Sequence, residues 1–240
     1  MPSIQELARS SGFIFSGTVV ERGKSTVPSA VPNEKFVVVR FDRGLRVDPV
    51  LGDLRGKLIT VVAAAPEGLS PGQKAVFFAN SWIHGGGIAV RELGHVDISE
   101  SDNVAAAIAQ LPQAHLLERL QKAVLVVVAE VTRVGSVEKR SFERNAALWS
   151  AAELKVDSVL FGTPLKSTVV YFPTSGHPVW AHAPRFKEGQ RGIFVLHAPN
   201  RKATPSEATL GPDGLVALDP GDFQAESERS EVEKLLGAIK

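Results

Sequence analysis

Two histidines five positions apart raise the question of chemistry first. His177 and His182 share the segment Ser175-Gly-His-Pro-Val-Trp-Ala-His182, and a loop could bring both imidazoles onto one metal with a distant carboxylate completing the site. The remaining four, His84, His95, His115 and His197, fall singly, and no H-E-x-x-H or comparable ligand spacing occurs. Polar loop residues around a Trp180 anchor are the simpler reading of the pair. Ser175, His177 and Asp157 supply the residue types of a nucleophilic triad, but Ser-Gly-His offers neither a nucleophile elbow nor an oxyanion hole, so a turn is preferred. Gly85-Gly86-Gly87 lacks the lysine and following helix of a phosphate loop and reads as a hairpin connection. A metal-dependent or hydrolytic enzyme on the His177/His182 loop is therefore the alternative reading. The favoured one assigns no catalytic, metal or cofactor-binding residue and expects no cofactor.

Composition narrows the classes further. The chain has 240 residues, 44% of them apolar and 22% charged, as in an ordinary globular protein rather than a disordered one. Residues 1–115 carry 11 basic and 11 acidic side chains, which leaves 16 and 15 for the rest. With neither half basic, nucleic acid is not expected as a partner. The absence of cysteine removes disulfides, thiolate metal sites and thiol catalysis together. The N-terminus, Met1-Pro-Ser-Ile-Gln-Glu6, has a carboxylate where a signal peptide needs positive charge. No apolar run approaches the ~20 residues that span a bilayer. A cytoplasmic location without membrane contact is expected, or an exported one if a leader was removed.

The elements that must position any site repeat. Ser3 and Glu6 form a capping box ahead of Ile4, Leu7 and Ala8, and Phe13-Ile-Phe-Ser-Gly-Thr-Val-Val20 follows as a strand. Leu116, Leu117 and Leu120 form a second short stripe, followed by Val124-Leu-Val-Val-Val-Ala-Glu-Val131. An offset of 112 superposes these segments, and one of 115 sets Asp42 on Asp157 and Pro49 on Pro164. Such recurring carboxylates suit turns or edge strands better than halves of a catalytic pair. Thr60-Val61-Val62 is paired with Thr168-Val169-Val170. At an offset of 117, Leu69-Ser-Pro-Gly-Gln-Lys-Ala-Val-Phe-Phe78 matches Phe186-Lys-Glu-Gly-Gln-Arg-Gly-Ile-Phe-Val195. There Gly72-Gln73 and Gly189-Gln190 are read as equivalent structural turns whose glycines supply a positive φ. Each copy closes on a helix: Val104, Ile108 and Leu111, ended by Pro112, and Val232, Leu235, Leu236 and Ile239 behind a capping box from Ser230 to Glu233.

Short strands with turn signals and no alternating helices predict a mainly β chain of two tandem OB-like five-stranded antiparallel barrels, each flanked by short helices, over residues 1–111 and 112–240. The opening helix, Phe-Ile-Phe-Ser-Gly-Thr-Val-Val, Phe-Asp-Arg-Gly-Leu-Arg and the Gly-Gln turn resemble the netrin-like OB domain. That is the fold of the tissue inhibitors of metalloproteinases and of many bacterial proteins. The family's inhibitory mechanism rests on an N-terminal cysteine this chain lacks, so the resemblance implies the fold alone. The expected function is a non-enzymatic protein-binding or assembly module. Its partner is a protein or a second copy, held through strand edges and the insertions 135–147, 174–184 and 200–211. Trp82, His84, His177, Trp180 and His182 are the candidate partner-binding residues. Single-stranded nucleic acid or carbohydrate on the barrel faces is a further alternative, with Trp82, Trp149, Trp180 and Tyr171 as the stacking groups.

Overall fold

Strands β1 (Phe13–Arg22) and β6 (Leu125–Ser136) open on unbroken apolar runs where a half-exposed strand would alternate, because both faces of each are covered. The computed structural model describes residues 2–31, 33–83, 87–137, 148–175, 180–199 and 214–239. Its backbone divides into two compact units, Met1–Pro112 and Gln113–Lys240. The chain is mainly β and OB-like.

In the first unit, helix α1 (Ile4–Ser10) and β1 are followed by β2 (Phe36–Arg46), β3 (Leu58–Val62), β4 (Lys74–Ile83) and β5 (Ala89–Asp97). The strands close into a barrel in the order β1-β2-β3-β5-β4. One ladder, β3 with β5, is parallel, which corrects the all-antiparallel expectation. The two strands are separated by the single strand β4 and so leave in the same direction. Inside, the Phe15 ring stacks between Phe41 at 5.1 Å and Phe77 at 5.2 Å, with Phe13, Leu54 and Ile59 around them. Outside, Ile14, Val76 and Phe78 pack under α1 and the first half of α2 (Ser101–Lys122), through Leu7, Ala8, Val104 and Ala107.

The second unit repeats the plan with β6, β7 (Trp149–Phe161), β8 (Ser167–Pro173), β9 (Arg191–Leu196), β10 (Leu215–Val216), β11 (Phe223–Gln224) and helix α3 (Arg229–Ile239). Its strands form a six-stranded sheet in the order β10-β8-β7-β6-β9-β11. Strand β10 runs parallel to β8 as β5 does to β3, and β11 runs antiparallel to β9 as β5 does to β4. They are two halves of one interrupted fifth strand. Among the described residues a single bridge, from His197 just past β9 to Val216 of β10, closes the sheet, in place of the fully closed ladder that the sequence led us to expect. The outer face of β6 and β9 lies under the second half of α2 and under α3, through Leu116, Leu120, Val232, Leu235 and Leu236.

Three local expectations change. Pro112 sits inside the 22-residue helix α2 instead of ending a helix. Packing of Val104 and Ala107 on one side of it, and of Leu116 and Leu120 on the other, outweighs the ~3 kcal/mol interior cost of proline. Helix α3 starts at Arg229 after the short turn Glu226–Glu228, and Glu233 accepts from Arg229 at 2.8 Å instead of closing a box with Ser230. The β3–β8 pairing slips by one residue. Phe41 N donates to Lys57 O as Val156 N donates to Lys166 O, which sets Val61 on Val170 and Val62 on Tyr171. Both Val61 and Val170 face their cores, as a strand period of two requires.

The Gly-Gln turns agree bond for bond. Gly72 N donates to Val19 O at 2.8 Å and Gly189 N to Val131 O at 2.8 Å. Gln73 Oε1 accepts from Ser70 N at 2.9 Å, as Gln190 Oε1 accepts from Lys187 N at 3.1 Å. Gly72 has φ 85° and Gly189 φ 78°, with open space where a Cβ would stand. Any cost of a side chain there is therefore backbone strain and not a clash. Gly72→Val and Gly189→Val are each expected to destabilise by about 1–3 kcal/mol in denaturant melts, with alanine at the lower end. Wild-type stability in the variants would contradict this account of the turn.

Candidate functional site

The two units differ where equivalent strands enclose their barrels. Where the first interior holds Phe13, Phe15 and Phe41, the second holds Leu125, Val127 and Val156. The β2–β3 connection, residues 47–57, includes the turn Pro49–Leu51 and buries Leu54. The shorter β7–β8 connection, residues 162–166, contributes only the half-buried Leu165. Among the described residues Ser167–Val169 pair with β7 alone, because β10 reaches only Val170 and Tyr171. A cleft of about 860 Å³ lies here, lined by Leu125, Leu165 and Leu215 on its apolar side. Thr132, Thr163, Ser167, Thr168 and Tyr171 bring hydroxyls, and Glu153 and Lys155 bring charge. The cleft is open to solvent, and its hydroxyls suit a hydrated recess. Lys155 and Lys166 are exposed at the start of this strand pair.

A buried polar cluster fixes the interrupted strand beside the cleft. The turn Pro220–Asp222 separates β10 from β11, and Asp222 is fully buried. Arg119 of α2 grips it with two bonds, Nε to Oδ1 at 2.7 Å and Nη2 to Oδ2 at 3.0 Å. His197 Nε2 lies 3.0 Å from Oδ1, and Leu218 N and Asp219 N donate to Oδ2 at 2.8 and 3.0 Å. Burial pushes the Asp222 carboxyl upward, but the bonds from His197 and Arg119 outweigh it and hold the group below its ordinary range. The first unit keeps a simpler counterpart, with buried Glu92 at 2.6 Å from His95 Nδ1 and accepting from Ala64 N at 2.7 Å. That carboxylate raises the His95 imidazole above its ordinary value, against the opposing effect of burial.

The residues singled out from the sequence do not converge. Trp82 is 38% exposed, stands edge-on to Phe36 at 5.8 Å, and has the Arg91 guanidinium 5.9 Å over its ring. Trp180 packs edge-on against Trp149 at 6.0 Å, and His182 is exposed on the turn that follows it. His84 and His177, and most of the three insertions, lie outside the described residues. Among the described residues no group of three or more His, Asp or Glu side chains is placed to hold a metal. Asp157 bonds Arg191 at 2.7 Å, and Asp42 accepts from Thr18 at 2.7 Å, so both recurring carboxylates serve surface pairs. No helix among the described residues is long and apolar enough to cross a membrane. Sequence reasoning named Tyr171 only as a stacking group, and it missed Arg119 and Asp222. The one signal for these is Asp219-Pro-Gly-Asp222, a turn where the first copy has a continuous strand.

No family model matches the sequence, and no curated protein does. Among solved structures the chain is similar to a murine DNA-binding protein bound to double-stranded DNA, at 14% identity over 78% of this chain and 89% of that one, TM-score 0.22. A second is the Ifi202 HINa domain in complex with double-stranded DNA, at 9% identity over 89% and 95%, TM-score 0.23. These scores support no residue-by-residue correspondence. Their DNA ligands run counter to the partner expectation, which set nucleic acid aside in favour of a protein or a second copy. Both neighbours are DNA complexes, and a net charge summed over a whole unit does not decide what one face binds.

The Asp222 cluster yields a direct test. Its carboxylate contributes stability at pH values above the unfolded carboxyl value of about 3.9, and that contribution is lost as pH falls through the lower folded value. Arg119→Met leaves a buried charge partly uncompensated and is expected to cost about 3–5 kcal/mol at neutral pH. Denaturant melts across pH should show the gap between wild type and variant shrinking on acidification. A pH-independent gap would contradict the assignment.

Proposed function

We propose that the chain is a non-enzymatic OB-type binding module that takes a single strand of nucleic acid along the cleft of its second barrel. The observation that carries this reading is the cleft itself, open beside β8 with an aromatic ring, a row of hydroxyls and a cation along one strand pair. OB folds engage extended ligands on the face of strands two and three, and β7 and β8 are those strands here. Tyr171 supplies a stacking surface of the kind single-strand binders use, tolerant of sequence because every base has a π-face. Lys155 and Lys166 supply the charge for a backbone running past it. With so few cations at the cleft, stacking contributes more than counterion release, in keeping with the balanced charge of the chain. The netrin-like resemblance adds only its fold to this reading.

Titration of the full chain with oligothymidine tests it. Tyr171→Ala is expected to weaken binding by about 1–3 kcal/mol, and Tyr171→Trp to retain it. Lys155→Ala should reduce the slope of log K against log salt by about 0.7, the value for one phosphate contact on a single strand. No binding by the wild type, or equal affinity for Tyr171→Ala, would overturn the proposal.

A further inference from the structure

The face of the first barrel that corresponds to the cleft is covered by the protein's own chain. Residues 25–30, from the β1–β2 connection, lie across the outer side of β2, β3 and β5. The Thr60 hydroxyl, fully buried on β3, accepts from Thr26 N at 2.8 Å and shares bonds with Thr26 Oγ1 at 2.9 Å and Ser25 Oγ at 3.3 Å. Beside this knot Val27 and Ala30 are buried against Phe36, Ala89 and Val62. Val62 stands at the register position of Tyr171 in the second barrel. The fit is close at one further point, since a Cβ on Gly87 would come within 3.1 Å of Val27 Cγ2 and 3.3 Å of Thr26 O. At the margin of the covered area Trp82 remains 38% exposed with Arg91 over its ring, an aromatic and a cation of the kind a base and its phosphate engage.

We infer that the first barrel carries a second, latent site for single-stranded nucleic acid, centred on Phe36 and Val62 and flanked by Trp82 and Arg91, held closed by the strap of residues 25–30. Among the described residues the strap is fastened by few groups: one hydroxyl acceptor and two small apolar side chains. Its burial of two side chains is modest beside that of the four-phenylalanine interior beneath, so it can leave while the barrel stays folded. The ligand class rests on the function proposed above, but the strap and the face it covers are read from the first unit alone.

Calorimetric titration of the full chain with oligothymidine of about ten nucleotides, within the span of one OB fold, separates the two ideas. The wild type should bind one strand per chain. Thr60→Val keeps the shape of the side chain and removes the acceptor that fastens the strap. Gly87→Leu wedges the strap outward without touching that hydroxyl. Each should raise the stoichiometry to two, and Trp82→Ala in either background should return it to one. Two independent variants guard against a folding defect in either. If the folded variants stay at one strand, the latent site is overturned and the cleft reading stands. If the wild type does not bind but the loosened variants bind one strand in a Trp82-dependent way, the strap is upheld and the cleft reading falls. Absence of binding in every variant overturns both.

Discussion

A barrel with the strand order β1-β2-β3-β5-β4 closes only when its last strand reaches two neighbours at once, strand three in parallel and strand four in antiparallel. The first unit meets this demand with one continuous strand, β5, paired to β3 at its start and to β4 along its length. The second meets it with two dipeptides, β10 and β11, separated by the turn Pro220–Asp222. With ladders only two residues long, those dipeptides lean on side chains as well. Asp222 takes that role, tied to α2 through Arg119, to the end of β9 through His197, and to its own turn through two backbone donors. Breaking a buried pair by removing one partner is strongly destabilising, so the second barrel's closure is concentrated in a few atoms where the first distributes it along a strand.

The same interruption makes the cleft. A two-residue β10 leaves Ser167–Val169 with β7 as their one neighbour among the described residues, while the shorter β7–β8 connection and the smaller Leu125, Val127 and Val156 withdraw filling that Leu54, Phe13, Phe15 and Phe41 give the first barrel; the second barrel's own phenylalanines, Phe172, Phe186, Phe194 and Phe223, pack with one another. The two barrels thus share one plan and treat the outer face of their second and third strands in opposite ways. In the first, the long β1–β2 connection folds back and occupies it. In the second, a recess remains among the described residues, with Tyr171 at its side. Helices cover the remaining outer face of each, over Ile14 and Phe78 in one unit and over Val126 and Val195 in the other.

Much of this architecture was legible because it is local. The Gly72-Gln73 and Gly189-Gln190 turns combine a positive φ with a glutamine that bonds back three residues, and both features follow from residue type. Doubly buried β1 and β6 announce themselves as unbroken apolar runs. The closure did not, because it joins residues distant in sequence: Arg119 meets Asp222 across 103 positions, and the capping box Asp219-Pro-Gly-Asp222 marks a turn without marking its partner. Pro112 misled for the same reason, since its tolerance depends on two cores that hold the helix on either side. The histidine pair drew attention by spacing alone. Tyr171 was visible as an aromatic, but its value depends on the register that gives it the position Val62 holds in the first barrel, and a slip of one residue places it on the wrong face.

The central claim is that the second barrel's cleft, at β8, is where an extended polymer lies. Ultraviolet crosslinking of oligothymidine to the full chain, followed by peptide mapping, tests it most directly. The account predicts a crosslinked nucleotide on the peptide that contains Tyr171. Crosslinks confined to peptides from residues 1–112 in the wild-type chain would contradict it.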